Sequence, residues 1–314
     1  RGLVVNKFRG DLALVADGVR ILEERGGVPV LGVVPFLPNL AIPEEDAVAI
    51  EYRRPHVARP PSPSAAIDIA VVALPRVANF DDFDPLAGEL GVQVRYVASP
   101  QALGRPQAVI LPGTKSTMAD LAWLRAQGLV EAIRGLAAAG SAVVGICGGY
   151  QMLGQTVRDP GHVEAAADEV PGLGLLPVET VFAGDKATYR AQGRVLGGAG
   201  WLASLAGQAV AGYEIHMGRT AGGSAWLEIV ERNGQPVSVP DGTASQDGRV
   251  WGCYMHGIFE NGTFRRAWLA SLGWDGAGNQ SLPPAGHEAA FERLADEVEA
   301  ALAMKQVEAI IWGA

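Results

Sequence analysis

Two cysteines in 314 residues, Cys147 and Cys253, are too few and too far apart for a disulfide framework or a thiolate zinc site. A single disulfide between them is left open at this stage. No run of 18 apolar residues and no signal-peptide pattern occurs, which argues against a spanning or exported chain and makes the cytoplasm the default location. Positive charge is also short: 25 Lys and Arg against 34 Asp and Glu leave a net charge of -9. Nothing global therefore attracts nucleic acid. The chain has no Gly-rich GxxxxGK[ST] phosphate loop and no internal repeat. It also lacks an initiator methionine, and Arg1 runs almost at once into the strand-like Leu3-Val4-Val5, so it reads as cut from something longer.

What is present is a glycine-rich chain, 41 glycines with 48% hydrophobic residues, long enough for about two domains. Its most informative stretch is Val143-Val144-Gly145-Ile146-Cys147-Gly148-Gly149-Tyr150-Gln151-Met152-Leu153-Gly154. A buried strand ends there, a cysteine follows between small residues, and a short helix pattern begins. That is the layout of a nucleophile elbow. Glycines 145, 148 and 149 are expected to make the turn sterically cheap, and the helix start to favour the thiolate of Cys147. A buried structural cysteine is the competing reading.

The N-terminal residues read as one βαβ unit: a strand at Leu3–Val5, a helix over 12–24 and a strand over 28–34. Asn6, Lys7, Arg9 and Asp11, in the loop after the first strand, are candidate nucleotide or substrate contacts. A solvated loop with a local Asp–Arg pair fits them equally well. The Pro/Ser-rich stretch 55–66 reads as a linker, separating residues 1–54 from a second domain at 67–275, with a loop and final helix over 276–314. In the second domain, strands at 67–74, 91–97, 108–111 and up to Cys147, with a long helix over 118–139, describe an open, mostly parallel α/β sheet flanked by helices. Beyond residue 158, strands at 173–182, 187–195 and 226–230 suggest an antiparallel extension.

The Pro112-Gly113 turn belongs at the same sheet edge as Cys147. Backbone N–H groups of Gly148 and of Gly113 or Thr114 could therefore stabilise an oxyanion. A cysteine nucleophile also needs a base. His256, in Trp251-Gly252-Cys253-Tyr254-Met255-His256-Gly257, leads for its place at the end of a strand, with His216 second. His162 sits in an irregular acidic stretch, His56 in the linker and His287 at the last helix.

Taken together, Gly145–Gly154 and the later His256 resemble the class I, triad-type glutamine amidotransferases, which have a flavodoxin-like fold. More narrowly, several stretches resemble the C-terminal portion of the cobyric acid synthase family: Val5–Asp11, Pro75–Asp84, Leu111–Thr117, Gly212–Gly218 and Trp251–Gly257. The resemblance implies that residues 1–54 are the end of a truncated, dethiobiotin-synthetase-like synthetase domain that uses ATP and Mg2+. It implies that 67–275 hydrolyses glutamine to supply ammonia. The family's acceptor is a corrinoid, adenosylcobyrinic acid a,c-diamide, amidated on its b, d, e and g carboxylates. Carried onto this chain, Cys147 is the nucleophile, His256 the base, and Gly113 and Gly148 the oxyanion site. Tyr150, Gln151, Glu214 and His216 would shape the glutamine pocket or orient the base.

Many triad amidotransferases carry a Glu two residues after the histidine; here Ile258 stands there. Glu214 or a backbone carbonyl would then orient His256, or the pair would act as a dyad. With no cofactor site of its own, the chain is expected to act as a glutaminase alone and to need the missing N-terminal portion, in cis or in trans, for amidation. A related amidotransferase acting on a cell-wall carboxylate and a non-catalytic subunit are the rival readings.

Overall fold

An apolar run, a helical stripe and a second apolar run fold as a right-sized βαβ unit in the computed structural model. It describes residues 1–11, 14–37, 66–182, 184, 187–276 and 287–313. Strand β1 (Leu3–Phe8), helix α1 (Ala16–Gly26) and strand β2 (Val30–Pro35) form it, with β1 and β2 parallel. The first strand runs on to Phe8, three residues past its apolar core, because pairing with β2 resumes at Phe8, opposite Pro35, after an irregularity in which Lys7 takes φ 54°. The chain divides into two units, Arg1–Pro43 with Pro283–Ala314, and Glu44–Leu282. In the smaller unit the C-terminal helices, His287–Ala301 and Met304–Trp312, return to β2. Gly32 bridges Leu302, and the Ala303 N–H donates to Leu31 O at 2.7 Å, so this return covers the strand's outer edge. Gly32 is glycine for room: a Cβ there would lie 2.2 Å from Ala301 O. The proposed linker, apart from Ala66, lies outside the described residues, and His56 with it.

The larger unit is built on a six-stranded sheet. Its members are β3 (Ile67–Val72), β4 (Val92–Val97), β5 (Ala108–Leu111), β6 (Ala142–Ile146), β15 (Thr243–Ala244) and β16 (Val250–Cys253). Their spatial order is β15-β16-β6-β5-β3-β4, and only β15 is antiparallel to its neighbour. Every residue of β3, β5, β6 and β16 is buried, as expected of a parallel sheet covered on both faces. The open, mostly parallel sheet expected from sequence is the one observed.

The single helix expected over 118–139 is two helices, α2 (Thr117–Ala126) and α3 (Leu129–Ala138). Gly128 breaks it at φ 71°, a left-handed conformation that cannot continue a helix. After α4 (Gly148–Leu153) come the antiparallel strands: β7 (Thr156–Arg158), β8 (Glu169–Pro171), β9 (Glu179–Val181), β10 (Ala187–Val195), β11 (Ala209–His216), β12 (Arg219–Ala221), β13 (Leu227–Arg232) and β14 (Gln235–Asp241). They form two sheets, β11-β10-β13-β14 and β12-β9-β7-β8. Of the strand expected over 173–182 only Glu179–Val181 is a strand. Residues 173–176 instead donate to the C-terminal end of α4, Leu173 N–H to Met152 O at 2.7 Å and Leu175 N–H to Leu153 O at 2.9 Å, which buries Leu173 and Leu176 without a sheet. Among the described residues no helix is long and apolar enough to cross a membrane.

Aromatic side chains seal the far end of the sheet. Trp251 on β16 meets Trp226, Phe259, Phe264 and Trp268 with ring centroids within 5.9 Å, mostly edge to face. The Trp251 indole N–H is buried without a hydrogen-bond partner among the described residues. Trp251→Ala should lower unfolding stability by about 3–5 kcal/mol. Trp251→Phe should cost much less, because it removes an unsatisfied donor along with some volume. Urea denaturation followed by tryptophan emission distinguishes the two.

Candidate active site

Cys147 directly follows the central strand β6 and sits at φ 51°, ψ −111°, a conformation that costs a non-glycine residue about 1–3 kcal/mol. The strand arrives from Ile146, the helix α4 leaves at Gly148, and the cysteine side chain is set at the corner between them. The expectation that neighbouring glycines ease the turn by their backbone freedom needs correction: the cysteine itself takes the strained angle. The glycines supply room. A Cβ on Gly145 would lie 2.6 Å from Gly149 C, on Gly149 1.9 Å from Leu111 O, and on Gly148 2.7 Å from Thr114 Cγ2. Helix α4 can therefore press directly on β5 and β6.

His256 follows β16, which pairs with β6 in parallel, Cys253 opposite Ile146. Both residues thus emerge at one sheet edge, the edge where open α/β sheets hold ligands. The ring is 1% exposed along with its residue and is held on several sides. Its Nδ1 lies 2.7 Å from Asp82 Oδ2, and the Gly257 N–H donates to Asp82 Oδ1 at 2.9 Å. Tyr213 stacks on it at 5.1 Å between centroids, and Asn79 donates to the Tyr213 hydroxyl at 2.5 Å. A Cβ on Gly113 would lie 2.8 Å from His256 Cε1, so that position has to be glycine for the ring to fit. With Nδ1 on Asp82, Nε2 is the nitrogen left for chemistry; His256 and Cys147 line the same cavity, and the Cys147 Sγ–H donates to Ile215 O at 3.5 Å. Burial pushes the imidazole pKa down, but the Asp82 carboxylate and Cys147 outweigh it and raise it to about 10.

Asp82 comes from the turn Phe80–Phe83 after β3, 174 residues from His256 in sequence. Cys147, His256 and Asp82 therefore converge from the ends of three different strands of one sheet. Beside them is a cavity of about 270 Å³, whose walls include Thr114, Cys147, Gly148, Gln151, His216 and His256. A larger open depression, about 990 Å³, crosses β10 and β11 and contains neither Cys147 nor His256.

A family model, the CobB/CobQ-like glutamine amidotransferase domain, matches residues 68–264, well over half the chain. The chain belongs to this glutamine amidotransferase family. It is 50% identical over 304 residues to a cobyric acid synthase of Chloroflexus aurantiacus, covering 96% of this chain and 58% of that protein. It is 51% identical over 308 residues to the cobyric acid synthase of Chloroflexus aggregans, again covering 96% and 58%. The chain thus spans less than two thirds of these relatives' length. Among solved structures, a chain of PurLQS from Thermotoga maritima aligns with TM-score 0.50 and 20% identity, over 66% of this chain and 97% of that one, a likeness of fold.

Within this amidotransferase domain the other expected site residues fall in different places. Gln151 lines the cavity as a fixed wall: its carbonyl accepts from Thr117 Oγ1 at 2.8 Å and its amide donates to Met217 O at 2.9 Å. Tyr150, expected to shape the pocket, is buried behind it with its hydroxyl 2.9 Å from Thr243 Oγ1. Gly148 and Thr114 line the cavity; Gly113 instead backs the His256 ring.

Glu214, a candidate to orient His256, is committed elsewhere. It holds Arg232 through two bonds of 2.7 and 2.8 Å and lies 3.6 Å from His216 Nε2. Burial pushes its carboxyl up, but His216 and Arg232 outweigh that and hold it below the usual range. At 3.6 Å the His216 contact is an ion-pair separation rather than a hydrogen bond, and Nε2 has no hydrogen-bond partner among the described residues. His216 stacks on Tyr254 at 3.8 Å and lines the same cavity as His256. His162 pairs with Asp168 at the surface. Asn6, Lys7, Arg9 and Asp11 belong to the smaller unit and are exposed; Asn6 Oδ1 accepts the Lys7 N–H, and Arg9 covers the Phe36 ring at 3.9 Å. The residue that sequence reasoning missed is Asp82. Three acids, Asp81, Asp82 and Asp84, stand together there, and no spacing rule singles one out.

The Asp82–His256 pair makes a stability signature. A folded-state pKa near 10 against an ordinary 6.5 means the charged ring stabilises the fold in full below pH 6.5, and that contribution fades as pH rises toward 10. The wild-type urea midpoint should therefore decline between pH 7 and 9.5. Asp82→Asn should lower the midpoint at pH 7 and flatten the decline, since the neutral amide no longer holds the proton on the ring.

Proposed function

We propose that Cys147 is the nucleophile of a glutaminase site, with His256 as its proton carrier and Asp82 as the group that orients and charges the ring. The observation that supports this most directly is the Asp82–His256 pair, with His256 and Cys147 lining one cavity of about 270 Å³. The Cys147 thiolate attacks the side-chain carbonyl carbon of glutamine, and negative charge gathers on the carbonyl oxygen. The Gly148 N–H, with the N–H of Thr114 or Gly113, would receive that charge. The Thr114 side chain is fixed for this: its hydroxyl donates to the buried Asp120 carboxylate at 2.5 Å, and Asp120 also holds Arg76 at 3.0 Å. His256 hands its proton to the departing ammonia. The neutral ring then takes a proton from the water that cleaves the glutamyl thioester, and the cysteine is regenerated. Asp82, fixed by two bonds of 2.7 and 2.9 Å, keeps Nε2 aimed at the sulfur through both proton transfers.

In the longer proteins that this chain resembles, the ammonia would amidate the b, d, e and g carboxylates of adenosylcobyrinic acid a,c-diamide. The cobyric acid synthase names of the relatives support this acceptor. ATP and Mg2+ would serve that step. The chain has no GxxxxGK[ST] loop to cradle a triphosphate, so its residues do not fit an ATP site of that kind, and the ATP-dependent chemistry is assigned to the portion of the relatives beyond this chain. Residues 1–54, with the covered β2 edge, are then the end of a dethiobiotin-synthetase-like synthetase domain.

Cys147→Ala should abolish glutamine hydrolysis, and a chloroketone analogue of glutamine should label Cys147 and spare Cys253. The latter is fully buried, and burial pushes its thiol well above the ordinary range. Modification at Cys253, or full turnover by Cys147→Ala, would remove the nucleophile assignment. Asp82→Asn should lower kcat by roughly 10²–10⁴-fold with KM nearly unchanged, because it alters the ring's charge and aim rather than substrate contacts.

A further inference from the structure

A second imidazole stands in the cavity wall and takes no part in the chemistry above. His216 ends β11, one residue after Ile215, whose carbonyl oxygen is 3.5 Å from the Cys147 sulfur. Both nitrogens of the His216 ring face oxygen atoms that can only accept. Nδ1 lies 3.3 Å from Gly218 O, and Nε2 lies 3.6 Å from a carboxylate oxygen of Glu214. A neutral ring has one proton to place, so it would leave a bare lone pair aimed at one of these oxygens. The side chain is only 12% exposed, and solvent does little to relieve such a repulsion. A ring protonated on both nitrogens turns a proton toward each oxygen. Its charge also suits the Tyr254 ring stacked on it at 3.8 Å.

The other charges of this cluster are held behind the ring. Glu214 takes two bonds from Arg232, and Asp241, its carboxyl pushed up to about 6 by burial, accepts the N–H groups of Gly242 and Tyr254 at 2.7 and 3.0 Å. Of these four groups, His216 is the one among the described residues that line the cavity. From other sides the sulfur is approached by His256, whose charge Asp82 balances, by the buried Cys253 and by the hydroxyls of Tyr213 and Tyr254. Lys115 and Glu164 line the cavity as well. The Ile215 carbonyl favours the protonated sulfur, so a thiolate at this place needs positive charge nearby to offset it. We propose that His216 is a positioning residue, an imidazolium fixed by Glu214 and the Gly218 carbonyl that presents its charge to the cavity and favours the thiolate of Cys147. This deepens the glutaminase reading and rests on it.

Two measurements test this without turnover. In the wild-type chain labelled with 15N-histidine, long-range proton–nitrogen correlation should show the His216 ring protonated on both nitrogens at pH 7. A neutral ring there would overturn the proposal, and this measurement needs no variant to fold. Alkylation of Cys147 by iodoacetamide, followed by peptide mapping, reads the sulfur itself. His216→Gln should lower the rate about tenfold on the acid side of the pH profile and move its midpoint up by roughly one unit, with the rate at high pH unchanged. His216→Lys, which restores a cation, should recover part of that shift. A role in packing alone would lower the high-pH rate and leave the midpoint in place; that result, or an unchanged profile, would sink the assignment. Full turnover by Cys147→Ala would instead remove the glutaminase reading, and neither the ring's protonation nor the alkylation profile depends on that outcome.

Discussion

A carboxylate on the loop after β3 reaches across to an imidazole on the loop after β16, and the geometry of the site depends on that contact. Asp82 binds the ring nitrogen at 2.7 Å and the next backbone N–H at 2.9 Å, so it fixes both the side chain and the chain that carries it. Both partners are nearly free of solvent. Taking two such charges out of water is costly, and the cost is offset only because the pairing is short and doubly bonded. Tyr213 stacked on one side and Gly113 close by leave the ring one orientation. The fold thereby holds a charged imidazole in the same cavity as the cysteine sulfur.

The cysteine end is built by a different means. Its backbone is held at an angle that L-residues avoid, and the strain is tolerated because α4 is pressed against β5 and β6 by glycines at 145 and 149. Gly252 on β16 continues the pattern, since a Cβ there would meet Gly145 O at 2.7 Å and the Tyr150 ring at 2.6 Å. Close backbone packing at the centre of the sheet thus sets the position of the sulfur, and the buried pair sets the position of the ring.

Much of this was legible in one dimension. The apolar runs 67–72, 108–111 and 142–146 are strands because a two-sided parallel sheet asks only for continuous hydrophobicity. Cys147 and His256 stood out because each follows such a run within a few residues. Tyr150 and Glu214 were harder to place: adjacency to Cys147 and to His216 says nothing about which side of a helix or strand a side chain takes. The Leu173–Leu176 segment looked like a strand because apolar residues need burial, and burial is also available against the end of α4. Gly128 marked a helix break that the apolar spacing alone concealed.

By itself the sequence determined the class of sheet, the elbow and the two residues that flank its edge, because these follow from local pattern and short-range turns. The third member of the site was decided only by tertiary structure. Asp82 is one of three neighbouring acids, and it is the one in contact with His256 because β3 lies two strands from β6 on the side away from β16, bringing the loops after β3 and β16 over the same edge. Strand order is a property of the packed chain, and it cannot be read from residues 174 positions apart.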